Sequence, residues 1–193
     1  MKKDIILSGV GGQGILSIAA VIGLAAVKED LFIKQSEVHG MSQQGGEVYS
    51  HLRLSSNPIW SDLIPEGIAD MILAVEPLEA LRYVNYLNPE GWLITSTEPL
   101  INIPDYPGPL SITSAITGIQ NHILVDAVKT ARDAGTTKAA NMVMLGAASP
   151  FLDIREDSLI NAIQKRFTGK GEAIVEINTE AFRAGRNIAI QKK

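Results

Sequence analysis

DIILSGVGGQGILSIAAVIGLAAVK, residues 4–28, sets a short apolar run before a glycine-rich turn and follows it with small and apolar residues over helical length. Residues 4–8 read as a strand and residues 15–28 as a helix, so the segment predicts strand, turn, helix, the opening unit of an α/β fold. The turn itself, GVGGQGI from Gly9 to Ile15, matches G-x-G-x-x-G, in which glycines let the backbone approach a pyrophosphate at a helix N-terminus.

Working outward, residues 31–35 and 48–54 are candidate strands, the second alternating so that one face lies nearer solvent. Residues 70–75 have the pattern of a buried strand, and Glu76-Pro77 then opens a helix over 78–87, with proline early, where its missing N–H costs nothing. The Asn88-Pro89-Glu90-Gly91 turn leads into a strand over 91–96, and parallel pairing with 70–75 is expected. Prolines at 99, 104, 107 and 109 mark an irregular excursion. Beyond it the pattern predicts a strand at 122–125, a helix at 126–134 ended by Gly135, a buried helix at 138–152, an amphipathic helix at 155–167, and a tail at 180–190 broken at Gly185. This is one domain, 1–193, of three-layer, Rossmann-like α/β architecture: a mostly parallel sheet flanked by helices.

Composition narrows the function classes. Of 193 residues, 46% are hydrophobic and 20% charged, the balance of an ordinary globular protein. A formal net charge of -4 gives no electrostatic reason to expect nucleic acid. There is no cysteine, which rules out disulfides, thiolate nucleophiles and cysteine-ligated iron–sulfur clusters on this chain. The longest apolar run, 15–27, contains Ser17 and Gly23 and falls short of the roughly 20 residues that span a bilayer. The opening MKKDIILSG reaches Asp4 and then glycine before any signal-like stretch develops, so no membrane association and a cytoplasmic location are expected.

The glycine turn alone leaves several readings open. A dinucleotide site needs an acid at the end of the second strand, about 20 residues on, to hold the ribose hydroxyls. Here that strand ends Ile33-Lys34-Gln35, and Glu37, the nearest acid, is separated from it by Ser36. A hydrolase phosphate loop also fails, because no Gly-Lys-Ser/Thr follows Gly14. GVGG before a helix is similar to the ATP turn of enzymes that adenylate ubiquitin-like proteins, but those enzymes commonly use cysteines. A purely structural use, a sharp turn with close helix packing, accounts for the glycines equally well.

A second motif follows. Residues 36–46, SEVHGMSQQGG, are too polar for a core and read as a loop joining two strands at the end of the first unit, where ligands or partners are often held. Its lone His39 has no Ser or Asp partner evident in the sequence and reads as a hydrogen-bonding or interface residue; His51 and His122 fall in predicted strands.

GVGGQGI, QSEVHGMSQQGGEVYSHLRLS and ADMILAVEPLEALR, in that order, with likeness continuing through Ala140–Gly146 and Asn178–Gly185, resemble the gamma-type subunit of the 2-oxoacid:ferredoxin oxidoreductases, the indolepyruvate branch most of all. The resemblance covers almost the whole chain. It implies a complex that oxidatively decarboxylates a 2-oxoacid to an acyl-CoA and passes the electrons to ferredoxin. Thiamine diphosphate, magnesium and iron–sulfur clusters then sit on the partner subunit, CoA is a co-substrate, and this chain alone holds no cofactor and is inactive. Missing cysteines, and the lack of a Gly-Asp-Gly segment followed by a distant Asn, fit that division. By the same resemblance Gly11, Gly12, Gln13 and Gly14, with Ser36, Glu37, His39, Gly40, Gln43, Gln44, Gly45 and Gly46, form one edge of the shared active-site region: either the approach for CoA or a seat for the partner subunit. Indolepyruvate, 2-oxoglutarate, pyruvate and branched-chain enzymes all share this subunit type. A free-standing NAD- or ATP-dependent Rossmann-type enzyme and a noncatalytic assembly subunit are the two other classes open at this point.

Overall fold

The computed structural model describes residues 1–40 and 45–192. Six strands, β1 (Lys2–Val10), β2 (Phe32–His39), β3 (Glu47–Ser55), β4 (Ala69–Ala74), β5 (Leu87–Ser96) and β6 (His122–Val125), form one sheet in the order β2-β3-β1-β4-β5-β6. Pairs β1–β4, β4–β5 and β5–β6 are parallel, while β3 runs antiparallel to both β1 and β2. The sheet is therefore mixed, with β3 alone reversed, because β2 and β3 form a hairpin in place of a helical crossover.

Alternation along β1 divides the core. Ile5 and Leu7 face a large cluster built with α1 (Ile15–Lys28), α4 (Ala127–Asp133), α5 (Ala140–Ala148), α6 (Glu156–Phe167) and α7 (Glu172–Ile190). Ile6 faces the opposite cluster with Ile72, Leu93, Ala80 of α2 (Pro77–Arg82) and Ile112 and Ile116 of α3 (Pro109–Thr117). Helices thus cover both faces, giving the three expected layers. At the far end of β1 the buried Asp4 carboxylate accepts two hydrogen bonds from Arg53 of β3, at 2.7 and 3.2 Å, which pins the reversed strand.

Several expected boundaries move. Residues 36–39 are strand, because Ser36, Glu37, Val38 and His39 pair with His51, Ser50, Tyr49 and Val48; the expected polar loop is shorter at its start. The helix expected over 78–87 ends at Arg82, and its last residues become a tight helical turn, Val84–Tyr86, and the start of β5. The proline excursion ends in a helix, α3, which its composition did not announce; Pro109 occupies the first helical position, and Ile112 and Ile116 supply the buried face. The buried helix expected over 138–152 is α5 framed by two tight turns, Thr137–Ala139 and Ser149–Phe151.

The tail is the clearest correction. Gly185 does not break a helix: α7 is continuous over 19 residues. A Cβ at Gly185 would lie 1.9 Å from the Val143 carbonyl oxygen, and one at Gly146 would lie 1.9 Å from that of Phe182. The two glycines exist so that α5 and α7 can cross with their backbones in contact.

Candidate functional site

The carboxyl end of β1 turns through Gly11–Gly14 into α1 on one face of the sheet, whereas the adjacent parallel β4 passes through Glu76 into α2 on the other. Between such divergent strands an open α/β sheet leaves a crevice at its carboxyl edge. Here that crevice is a cleft of about 300 Å³ lined by Gly12 and Gln13 after β1, Val75 after β4, Ser96 and Glu98 at the end of β5, and Lys138 and Asn141 at the start of α5.

Two side chains shape the turn. Gln13 accepts a hydrogen bond from the Val10 N–H at 2.8 Å through Oε1 and donates to the Val75 carbonyl through Nε2 at 3.4 Å, joining the ends of β1 and β4. Asn141 donates from Nδ2 to the Gly14 carbonyl at 3.2 Å. Gly14 is required here on two counts: its φ is +84°, and a Cβ would lie 2.5 Å from Asn141 Nδ2. As N-cap of α1 it offers no side-chain acceptor, and the first turn carries no acidic residue, so neither compensates the positive end of the helix.

The hairpin loop meets this turn directly. Gly11 N–H donates to the Gly46 carbonyl at 2.8 Å, and Gly40 N–H donates to the Glu47 carbonyl at 2.8 Å across the base of the loop. The two motifs identified in the sequence, 35 residues apart in chain numbering at this bond, are one piece of structure. Gly11, Gly12, Gln13, Gly14, Gly45 and Gly46 come together, and Gly40 closes the hairpin behind them. Ser36 and Glu37 do not join them: they lie along β2, separated from β1 by the whole of β3, and Gln35 Nε2 donates to Glu37 Oε2 at 3.0 Å. His39 ends β2 opposite Val48, and Gln43 and Gln44 lie outside the described residues.

The proline excursion forms a third wall. Glu76, buried and capping α2, accepts from Glu79 N–H at 2.8 Å, from Leu100 N–H at 3.3 Å and from the Tyr106 hydroxyl. Burial, and donation to Glu76, push the Tyr106 phenol upward, so it stays protonated as the donor. Asn102 Nδ2 donates to the Gly45 carbonyl at 2.9 Å, tying the excursion to the hairpin loop. Beside it, burial followed by hydrogen bonding to Glu47 raises the Tyr83 phenol, while burial raises the Glu79 carboxyl against the lowering influence of Arg82, which donates to it at 2.9 Å.

Glu76, Asn102, Lys138 and Asn141 were not among the residues expected from sequence. The strand-end rule would have pointed to Glu76 and Ser96, whereas nothing local places Asn141 beside a glycine 127 positions away. Among the described residues no group of three His, Asp or Glu side chains is arranged to hold a metal. The cleft offers backbone N–H groups, one ammonium, one carboxylate and two carboxamides among the described residues: binding chemistry, with no activated nucleophile. No helix of the described residues is long and apolar enough to cross a membrane.

Residues 4–188 match the family described as pyruvate ferredoxin/flavodoxin oxidoreductase. The chain is 35% identical over 200 residues to the indolepyruvate oxidoreductase subunit IorB of Methanothermobacter thermautotrophicus, covering 99% of this chain and 100% of that one. It is 28% identical over 200 residues to the 2-oxoglutarate synthase subunit KorC of Methanothermobacter marburgensis, covering 99% and 98%. Among solved structures, the gamma subunit of a keto/oxoacid ferredoxin oxidoreductase from Geobacter sulfurreducens superposes with a TM-score of 0.73 at 26% identity, covering 98% of this chain and 99% of that one. The 2-oxoglutarate:ferredoxin oxidoreductase of Magnetococcus marinus, solved with 2-oxoglutarate, coenzyme A and succinyl-CoA bound, superposes with a TM-score of 0.77 at 21% identity over 98% of this chain and 31% of that one.

Proposed function

The chain belongs to the pyruvate ferredoxin/flavodoxin oxidoreductase family as a subunit of a 2-oxoacid:ferredoxin oxidoreductase, and on that premise we propose that it serves an indolepyruvate-type enzyme, a single domain helping its partner subunit convert an aryl pyruvate and CoA to an acyl-CoA with electrons passed to ferredoxin. Identity of 35% to an indolepyruvate subunit against 28% to a 2-oxoglutarate subunit supports the aryl pyruvate.

This chain's own donor set does not fit the redox cofactors of such a complex. It has no cysteine for a cluster, and no three-residue metal group among the described residues, so thiamine diphosphate, magnesium and iron–sulfur clusters are assigned to the partner subunit and no chemical step is derived through them. What the chain contributes is binding and positioning.

The observation that carries this reading is the Gly11 N–H to Gly46 carbonyl bond, which makes the glycine turn and the hairpin loop one rim beside the cleft. At that rim the uncapped start of α1 and Lys138 favour an anionic group, as a CoA phosphate or a carboxylate of the partner subunit would present. Orientation of CoA toward the partner's reacting carbon is then a matter of holding one end of a long, flexible molecule, which lowers the entropy lost at the reacting thiol.

The test is co-expression with the thiamine-dependent partner subunit and an assay of CoA-dependent reduction of ferredoxin with indolepyruvate, 2-oxoglutarate, pyruvate and 2-oxoisovalerate. The highest kcat/KM is expected with indolepyruvate. A preference for any of the other three by about tenfold or more would overturn the substrate reading, and an active partner that neither binds this chain nor needs it would overturn the subunit role.

A further inference from the structure

Lys138 and Asn141 also border a second cavity, of about 480 Å³, which is distinct from the cleft and plays no part in the reading above. Its apolar wall comes from Phe167 at the end of α6 and from Ile174 and Ile177 of α7. Its polar rim is one-signed. Among the described residues Lys138 and Lys170 line it, no carboxylate does, and neither lysine is in an ion pair, although the chain as a whole is acidic. The Lys170 ammonium stands 5.6 Å from the centre of the Phe167 ring, which holds the charge over the aromatic wall.

Two neutral groups point to more than a patch of charge. Ser17, in the uncapped first turn of α1, lines the cavity with a hydroxyl that makes no hydrogen bond among the described residues. Asn141 spends its Nδ2 on the Gly14 carbonyl, while its Oδ1 is buried with no hydrogen-bond partner among the described residues. A buried acceptor left unmade carries the desolvation cost of losing water with nothing returned, so its retention in a side chain that lines this cavity as well as the cleft leaves it open to a donor from a water or a ligand.

We propose that this cavity binds an amphipathic small-molecule anion. Its apolar body packs on Phe167, Ile174 and Ile177; a carboxylate or phosphate lies between Lys138 and Lys170; an N–H or O–H on the body reaches Asn141 Oδ1. The volume suits a one- or two-ring molecule with its headgroup. The proposal stands whichever 2-oxoacid the complex uses, since it concerns binding to this chain and needs no turnover.

The test titrates the full chain with 4-hydroxyphenylacetate and with 4-hydroxybenzylphosphonate, using inorganic phosphate as a headgroup without a body, and follows amide resonances and heat. Saturable binding below about 1 mM is expected for at least one ring compound, with shifts centred on Ser17, Asn141 and Ile177. The tighter of the two identifies the headgroup. Lys138→Gln with Lys170→Gln, both exposed positions that leave the fold intact, should weaken it by about tenfold or more, and phenylacetate, lacking the hydroxyl, should bind at least about threefold more weakly than its hydroxylated form. No saturation by either compound below about 10 mM, equal affinity of the double variant, shifts confined to Glu98 and Leu100 in the cleft, or inorganic phosphate binding as tightly as the ring compounds would each overturn the site.

Discussion

Replacing Gly146 or Gly185 by alanine adds a single methyl group, and the geometry of the α5–α7 crossing makes it a severe change. The new Cβ would lie 1.9 Å from the Phe182 carbonyl oxygen in the first case and 1.9 Å from that of Val143 in the second, where ordinary contact begins at 3.4 Å. The helices must therefore part by about 1.5 Å. Both obstacles are main chain, so no rotamer change relieves them. Parting at that distance loosens the packing of Met142, Val143, Phe182 and Ala189, all buried in the same cluster, and a gap of even ~0.5–1 Å forfeits a quarter to a half of each atomic contact. Overpacking in cores usually costs about 1–3 kcal/mol; with main chain on the far side of the clash the expectation is the upper end, about 3 kcal/mol, after allowing alanine its ~1 kcal/mol helix preference over glycine. For a domain of this size that corresponds to a fall in Tm of roughly 6–12 °C. Gly169→Ala is the internal control, because nothing lies within 4 Å of its Cβ and its φ is not left-handed; it should be neutral or gain up to ~1 kcal/mol. Urea unfolding followed by circular dichroism reads all three. Midpoints for Gly146→Ala and Gly185→Ala within ~1 kcal/mol of the parent, at unchanged m, would refute the backbone contact between α5 and α7.

In the assembled complex, Gly12→Val and Gly45→Val should raise KM for CoA or lower turnover by about tenfold, whereas Lys165→Ala should do neither; both glycines have positive φ, +99° and +78°, with open space where a side chain would project into the rim. A loss of thermal stability with unchanged Michaelis constants would instead assign them a structural role only. Glu76→Ala strips the acceptor from Glu79 N–H, Leu100 N–H and the Tyr106 hydroxyl, so thermolysin cleavage of the Leu100–Ile101 bond, where the Ile101 side chain is exposed, should accelerate about tenfold or more; an unchanged rate would show that the excursion is held by other contacts. Burial holds the His51 imidazole below its usual pKa, and its Nδ1 accepts from Ile64 N–H at 3.1 Å, so the folded state keeps this ring neutral. The unfolded chain then binds the extra proton first: this contribution to stability is complete above about pH 6.5 and is lost as pH falls through the lower folded value. His51→Gln should flatten the decline in unfolding free energy between pH 7.5 and 5, and an identical slope in parent and variant would rule it out.

The glycine turn, the periodicity of residues 4–28 and the buried run at 70–75 were legible because each rests on local physics: side-chain period, glycine's access to positive φ, proline at a helix start. Helix α1 falls where its pattern placed it, and the parallel pairing of β4 with β5 follows from the unit between them. The family resemblance was legible for a different reason, since it rests on spaced motifs in order and not on any single contact.

Other features depended on residues far apart in the chain. Polar residues 36–39 read as a loop until β3 supplies them with a ladder, because pairing satisfies a backbone regardless of how hydrophilic its side chains are. Gly185 reads as a helix break until Val143 is placed against it, 42 positions earlier, where only a missing side chain lets two backbones touch. The turn and the polar segment could each be recognised separately. Their union through Gly11 and Gly46, the roof that Asn102 and Glu76 give them, and the arrival of Lys138 and Asn141 from α5 were decided only by the tertiary structure, because a hydrogen bond between distant residues leaves no period in either stretch of sequence.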